Sequence, residues 1–289
     1  MSLAKTDLMT LPPASVGGYE LLEQIGSGSM GVVHRARHSQ TGQIAAVKLI
    51  APSMITDDVI INSMIREASV LCQLDHKRIV KFIDTGVASG HVFLIMEYVA
   101  AIDLLAVLRS MTRAARIRVA CGLMRQVLDG LAHAHDLGVI HRDIKPRNIL
   151  VSQHDRGLKV KLADFGLAKY FADAGLSRFS GENEIKGTLS YMAPEQIENS
   201  RYATPKADLF SVAATLYTLI SDAQIYDCSD SRVPIDTILR NGPTPIRQYV
   251  HNPPSDLVRV LNRALAHDPD ARFDSAAEMR EALTQLSGG

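Results

Sequence analysis

The chain has no excess of charge of either sign: 31 lysines and arginines stand against 31 aspartates and glutamates. Without a net field nothing recruits nucleic acid or an anionic membrane over the whole surface, so local clusters must hold any anion. Cysteine is scarce. Cys72, Cys121 and Cys228 are odd in number and far apart, which excludes a disulfide framework or paired zinc knot and fits a reducing, cytoplasmic setting. No apolar run suits a bilayer span, since the longest, Leu209 to Ile220, falls short of the roughly 18 to 20 residues required. Nor does a secretory signal open the chain, because Lys5, Asp7 and Pro12 interrupt its start. No membrane segment is expected within these residues, although a longer parent protein could be membrane-anchored beyond residue 289. Internal repeats and low-complexity blocks are missing too. What remains is globular: 289 residues, 46% of them apolar, enough for a sizeable core in one large domain or two lobes.

Residues 1–18, with Pro12, Pro13, Gly17 and Gly18, read as a tail or linker, and order is expected from Tyr19. Short β-like runs then alternate with turn signals in "YELLEQIG", "GVVHRAR" and "IAAVKLI", which predicts an antiparallel sheet. Residues 57–74 switch to a helical period, with Ile60, Met64, Ala68 and Leu71 on one stripe and Asp57 and Asp58 at the N-terminal end. Two more strand-like runs follow, "IVKFIDTGV" and "HVFLIMEYV". Beyond them the pattern is mainly helical. Ala120, Leu123, Met124, Val127, Leu128 and Leu131 recur at steps of three and four, and Gly138 supplies a stop. A small sheet followed by a large helical part predicts two lobes with a cleft between them.

Four stretches carry chemistry. In "GSGSMGVV", Gly26, Gly28 and Gly31 have G-x-G-x-x-G spacing, but a β-like run follows where a dinucleotide fold needs a helix. Strand, glycine turn, strand instead makes a flap whose backbone N–H groups can approach phosphates. Lys48 ends "AAVK" in an apolar strand, where a cation costs free energy unless it is paired or faces a ligand; Glu67 is its candidate partner. "HRDIKPRN" gathers acid, base and amide groups in one loop. "LADFG" places Asp164 at a strand end 21 positions after Asp143. That carboxylate, with the amide oxygen of Asn148, suits magnesium held with phosphates and not zinc. Singly, each signal has a plain alternative in a surface loop, a hairpin turn, a snorkelling lysine or an unliganded turn aspartate. Their joint order does not.

Glycine flap, strand lysine, helix glutamate, His-Arg-Asp loop, Asp-Phe-Gly and Ala-Pro-Glu succeed one another over roughly residues 19 to 286, and in this the chain closely resembles the eukaryotic-like, Hanks-type serine/threonine protein kinases. The style of "GTLSYMAPEQ" and "HDPDARFDSAAEM" is that of the bacterial branch. The resemblance implies an α+β, bilobal protein-kinase fold: a tail at 1–18, a small antiparallel-sheet N-lobe with one main helix at 19–99, and a larger, mostly helical C-lobe at 100–289. It implies ATP and Mg2+ as cofactors and protein substrates with Ser or Thr acceptors. Lysine two places after Asp143, with Thr188 ahead of Ala193-Pro194-Glu195, disfavours tyrosine as acceptor.

By the same resemblance, Asp143 would orient the acceptor hydroxyl and take its proton, Lys145 would neutralise the transferring group, and Thr188 would bond toward both. Asn148 and Asp164 would hold magnesium, and Lys48, fixed by Glu67, would grip phosphates. Adenine would meet Ile25, Val33, Ala46 and Leu150 and bond to backbone around Glu97 and Val99, with Met96 controlling access to a deeper pocket and Asp103 meeting the ribose. His141 would be a packing residue, Asp208 would anchor the loop backbone and Arg272 would pair with Glu195. Ser177 and Ser180 are candidate autophosphorylation sites, facing Arg142 and Lys169 as charge partners. Phe210 and Ala213 depart from the usual tryptophan and glycine, Phe273 from a frequent proline, and "SDAQIYD" from the Gly-x-Pro-Phe pattern; these bear on substrate-side packing. Two other functions compete. A pseudokinase scaffold should lose one of Lys48, Asp143, Asn148 or Asp164, all present, and a small-molecule phosphotransferase should lack "APE". Dimerisation is not legible in the sequence.

Overall fold

The computed structural model describes residues 13–28, 31–51, 71–155, 157–165, 189–198, 203–226, 240 and 242–286. The chain divides into two compact units, Met1–Ala68 with Phe82–Tyr98 and Ser69–Lys81 with Val99–Gly289.

The first unit carries a six-stranded antiparallel sheet. Its strands are β1 (Ser15–Val16), β2 (Tyr19–Gly28), β3 (Gly31–His38), β4 (Ile44–Ile50), β5 (Phe82–Ala88) and β6 (His91–Glu97), in the order β1-β2-β3-β4-β6-β5. β1 corrects the expectation of an unstructured tail up to residue 18. Gly17 and Gly18 take positive φ values of 55° and 82°, as a two-residue hairpin turn requires, and Val16 pairs with Tyr19. Val16 and Tyr19 then bury beside Phe93 and Ile95. The Gly17-Gly18 pair that suggested a linker is turn chemistry.

The period-two alternation sorts β4 onto two faces. Ala45, Val47 and Leu49 join the Phe93–Ile95 cluster, while Ala46 and Lys48 face the other way. Register places Val33 and Leu94 opposite Lys48, and Met96 opposite Ala46, so these five share one face. The helix expected over 57–74 lies outside the described residues except at its end.

The second unit contains α1 (Leu104–Arg109), α2 (Arg113–Asp136), a β7 (Ile149–His154) and β8 (Gly157–Leu162) hairpin, α3 (Pro194–Glu198), α4 (Pro205–Ser221), α5 (Ser255–Ala264) and α6 (Ala276–Gln285). On α2 the expected stripe is the buried one: Ala120, Leu123, Met124, Val127, Leu128 and Leu131 all enter the core. Gly138, at φ 73°, ends the turn after the helix. The apolar run Leu209–Ile220 is the middle of α4, buried on every side; each large apolar side chain so enclosed contributes about 1.5–3 kcal/mol. Among the described residues no helix is long and apolar enough to cross a membrane. Cys121 sits in this core, where burial pushes its thiol up to about 11.

The run "IVKFIDTGV" is split between the units. Ile79 bridges Leu162 in parallel, and the Val80 N–H donates to the Leu162 carbonyl at 2.8 Å. Residues 69–81 therefore cluster with the second unit, and the strand proper begins at Phe82.

Candidate active site

Asp208, in the first turn of α4, is fully buried, and the chain around it is arranged to satisfy its carboxylate. Oδ2 accepts the His141 N–H at 2.9 Å and His135 Nε2 at 2.8 Å; Oδ1 accepts the Arg142 N–H at 2.8 Å. These bonds hold Arg142 at φ 69°, a conformation an arginine adopts only under constraint. They also fix where Asp143 begins.

Both ring nitrogens of His141 are engaged. Nδ1 accepts the Asp143 N–H at 3.3 Å, and Nε2 donates to the Ala163 carbonyl at 2.9 Å, with Phe165 packed at 4.4 Å between ring centres. The side chain has no exposed surface, so it is a strut joining the loop to the segment before Asp164.

Beyond it, the Asp143 Oδ2 accepts Lys145 Nζ at 2.9 Å and Asn148 Nδ2 at 2.9 Å. Asn148 Nδ2 donates again to the Asp143 carbonyl at 2.7 Å. Asp143 Oδ1 carries none of these bonds. Pro146, at the head of the 3-10 turn Pro146–Asn148, starts it with a fixed φ and no N–H to satisfy. The Asn148 carbonyl accepts the Ala163 N–H at 2.9 Å, which brings the chain bearing Asp164 alongside. Asp164 has φ 61°, so the chain bends sharply at that carboxylate.

This arrangement fits a magnesium ion. With Nδ2 spent on Asp143, the Asn148 amide presents its oxygen elsewhere, and amide oxygen plus carboxylate are hard donors. Among the described residues no group of three or more His, Cys, Asp or Glu side chains is placed to hold a metal ion by itself. A magnesium ion shared with phosphates needs no such cluster, since it keeps waters and takes one or two carboxylates.

The Ala-Pro-Glu segment is tied in from the other side. Gln196 Nε2 donates to the Arg142 carbonyl at 3.2 Å, and its Oε1 accepts the Ala193 N–H at 3.4 Å. Arg272, 1% exposed, grips Glu195 with two bonds of 2.7 and 2.8 Å and spends further N–H groups on the carbonyls of Lys206, Ala266 and His267. Its guanidinium stacks 5.0 Å from the Phe210 ring, and Arg263 lies 4.2 Å over Phe273. Phe210 and Phe273, two of the departures from family habit, thus serve as aromatic partners for arginines. In "SDAQIYD", Ile225 and Tyr226 are buried, so the segment keeps an apolar anchor by other residues. Tyr191 is mostly buried, which raises its phenol, with the Arg147 charge opposing.

In the first unit, sterics treat the three glycines differently. Gly31, at φ 137°, has no room for a side chain, because a Cβ would collide with the Leu49 carbonyl; around Gly28 there is open space, and Gly26 meets only Val33 at ordinary contact. Packing therefore demands glycine at 31 alone, and bare backbone is left at the other two. Lys48 is 4% exposed on the face it shares with Val33, Ala46 and Met96. Glu97 ends β6 opposite Ala45, and the Val99 carbonyl accepts the Ala101 N–H at 2.9 Å. Leu150 lies on β7 in the second unit, and Ile25 is exposed on β2.

Asp103, expected at the ribose, caps α1, with Oδ1 accepting the Ala106 N–H at 3.0 Å. Glu67, Lys169, Ser177, Ser180 and Thr188 lie outside the described residues. Two contributors escaped the sequence reading. His135, on the last turn of α2, looks like any surface histidine, and Gln196 simply follows the motif; neither belongs to a local pattern, since each acts across more than 50 residues of chain.

An antiparallel-sheet unit, a mainly helical unit and an Asp-Lys-Asn loop pinned by a buried aspartate define a protein kinase. Residues 19–284 match the model of the protein kinase domain, and the chain belongs to that family. It is 30% identical over 278 residues to serine/threonine-protein kinase pkn2 of Myxococcus xanthus, an alignment covering 92% of this chain and 32% of that protein. It is 29% identical over 264 residues to serine/threonine-protein kinase PrkC of Bacillus subtilis, covering 91% of this chain and 39% of that one. The chain thus spans about a third of the length of such relatives. Among solved structures it is similar to the PknI kinase domain of Mycobacterium tuberculosis, with a TM-score of 0.72 and 25% identity over 97% of this chain and 100% of that one.

Proposed function

We propose that this chain transfers the γ-phosphoryl group of ATP to serine or threonine hydroxyls of proteins. The observation that carries the reading is the Asp143 carboxylate, with one oxygen fixed by Lys145 and Asn148 and the other outside those bonds. In this reading Oδ1 orients the incoming hydroxyl and accepts its proton as the new P–O bond forms and the bond to the ADP oxygen breaks. Lys145, a compact point charge, stabilises negative charge on the moving group. Asn148 and Asp164 would hold magnesium, which when bound neutralises phosphate charge. Phosphoryl transfer needs mainly positioning and charge compensation, so no covalent nucleophile is called for.

The first unit supplies nucleotide contacts in this proposal. The bare backbone at Gly26 and Gly28 and the buried ammonium of Lys48, partnered by Glu67, would take phosphates, and Ile25, Val33 and Ala46, with Leu150 from the second unit, would take the base. Backbone at Glu97 and Val99 would bond adenine, and Asp103 would meet the ribose through Oδ2. Thr188 would support acceptor binding, and Ser177 and Ser180 remain the expected autophosphorylation sites. The reading also puts catalysis in the reducing cytoplasm, which the free thiols of Cys72 and Cys121 support.

The test compares wild type with Asp143→Asn using magnesium-ATP and generic protein acceptors. Loss of the base is expected to slow transfer by about 10²–10⁴-fold, and equal incorporation by both proteins would overturn the assignment.

A further inference from the structure

A second constellation of ionisable groups occupies the second unit, built from residues 76–78, α2 and α6. Among the described residues Asp129, on α2, is its one carboxylate, with Oδ1 accepting Arg280 Nη1 at 2.7 Å. Around Oδ2 stand His76 Nε2 at 3.9 Å, Lys77 Nζ at 3.7 Å and Arg78 Nε at 3.9 Å. All three are too far for a hydrogen bond. His76 Nδ1 accepts the Arg78 N–H at 3.3 Å, so the ring proton belongs on Nε2 and that atom is also a donor. His133 stacks on His76, with centroids 5.1 Å apart and planes at 18°. His133 Nε2 and Arg78 Nε are buried without a hydrogen-bond partner.

The cluster is held by backbone. A Cβ on Gly130 would meet Arg78 Cβ at 3.1 Å and the Arg78 carbonyl at 3.3 Å, so residues 76–79 press directly on α2. Lys77, with 70% of its side chain exposed, satisfies itself with water, but Arg78 at 16% and His76 at 20% have much less access to solvent. Three permanent cations therefore share one carboxylate, and donors far outnumber acceptor oxygens. A tetrahedral oxyanion supplies what is lacking: several acceptor oxygens and about 1.5 to 2 negative charges.

We propose that His76, Lys77, Arg78 and Arg280, gathered around Asp129, form a binding site for a phosphoryl group, either as free phosphate or on a phosphorylated serine or threonine. Burial holds the His76 imidazole below its ordinary value, and the charges of His133, Lys77 and Arg78 add to this while Asp129 opposes them. A bound dianion counters those repulsions, so it raises the titration midpoint of His76. Asp129 competes for the same donors and limits affinity.

The experiment follows the His76 ring resonances of the full chain by NMR while sodium phosphate is added, against sodium chloride at matched ionic strength. A neutral peptide carrying phosphoserine forms a parallel arm. Saturable shifts are expected at roughly 1–10 mM phosphate, ordinary for a small anion held by a few charge-assisted bonds, together with a raised His76 midpoint. Tighter binding of the phosphopeptide would identify a phosphorylated chain as occupant, and saturation by phosphate alone a free oxyanion. Asp129→Asn should tighten binding several-fold, and Lys77→Ala, at an exposed position, should weaken it about threefold. Kinase activity on a generic acceptor should survive both changes. Shifts that chloride reproduces, or an Asp129→Asn variant that binds phosphate no better than wild type, would refute the site.

Discussion

Replacing Asp208 by asparagine tests whether the loop is held by this one carboxylate. An amide keeps the shape but offers a single acceptor oxygen, and its two orientations are unequal. If Nδ2 takes the place of Oδ2, both the His141 N–H and His135 Nε2 face a donor; if it takes the place of Oδ1, only the Arg142 N–H does. The second orientation is favoured. One buried N–H then loses its acceptor, at a cost of about 1–3 kcal/mol, and two charge-assisted bonds become neutral ones, at about 1 kcal/mol each. Relief from burying a carboxylate offsets part of this, leaving a net loss of about 3 kcal/mol. Calorimetry should show a Tm lowered by about 6–12 °C. The bond lost is the one that holds Arg142 at its positive φ, so Asp143 should also move. Displacements near 1 Å cost on the order of 10²-fold in rate, and kcat should fall by about that much with KM for ATP little changed. A Tm within about 1 °C of wild type together with kcat within about threefold would refute the argument, which rests on these bonds being geometrically irreplaceable.

Three further outcomes are expected. Arg272→Lys keeps the charge but cannot reproduce the two-pronged grip on Glu195 or reach three carbonyls, so it should cost about 3 kcal/mol, read as a lower Tm. Gly31→Ala introduces a Cβ where the Leu49 carbonyl stands, on a φ of 137°; ATP affinity should fall at least about tenfold, while Gly28→Ala, with open space around it, should leave thermal stability unchanged. Asp222 accepts two bonds of 2.9 Å from Arg109, which hold its carboxyl below the usual range. A depressed carboxyl stabilises the fold at pH values above its unfolded value of about 3.9, and that stabilisation disappears as pH falls through the folded value. Because both groups are largely solvated, Asp222→Asn should cost less than about 1 kcal/mol at neutral pH, and the difference from wild type in urea melts should vanish as pH falls through the lowered folded value of the carboxyl. Asparagine also tolerates the left-handed backbone at this position, so the comparison isolates charge.

The sequence by itself determined most of the sheet, the buried stripe of α2 and the order of the chemical groups. Alternation placed β2 to β6, three-and-four spacing marked the buried stripe of α2, and "HRDIKPRN" announced a loop with an acid, a cation and an amide, because those signals are local and repeat within a few residues. It misjudged residues 15–18, since glycines serve linkers and tight hairpins equally well until Val16 is seen burying against Phe93 and Ile95. Tertiary structure alone decided what holds the loop. Asp208 reaches it from 66 positions away in the chain, and Arg272 reaches Glu195 from 77. Such pairs leave no periodic trace, because a hydrogen bond depends on where two atoms meet in space and not on how many residues separate them.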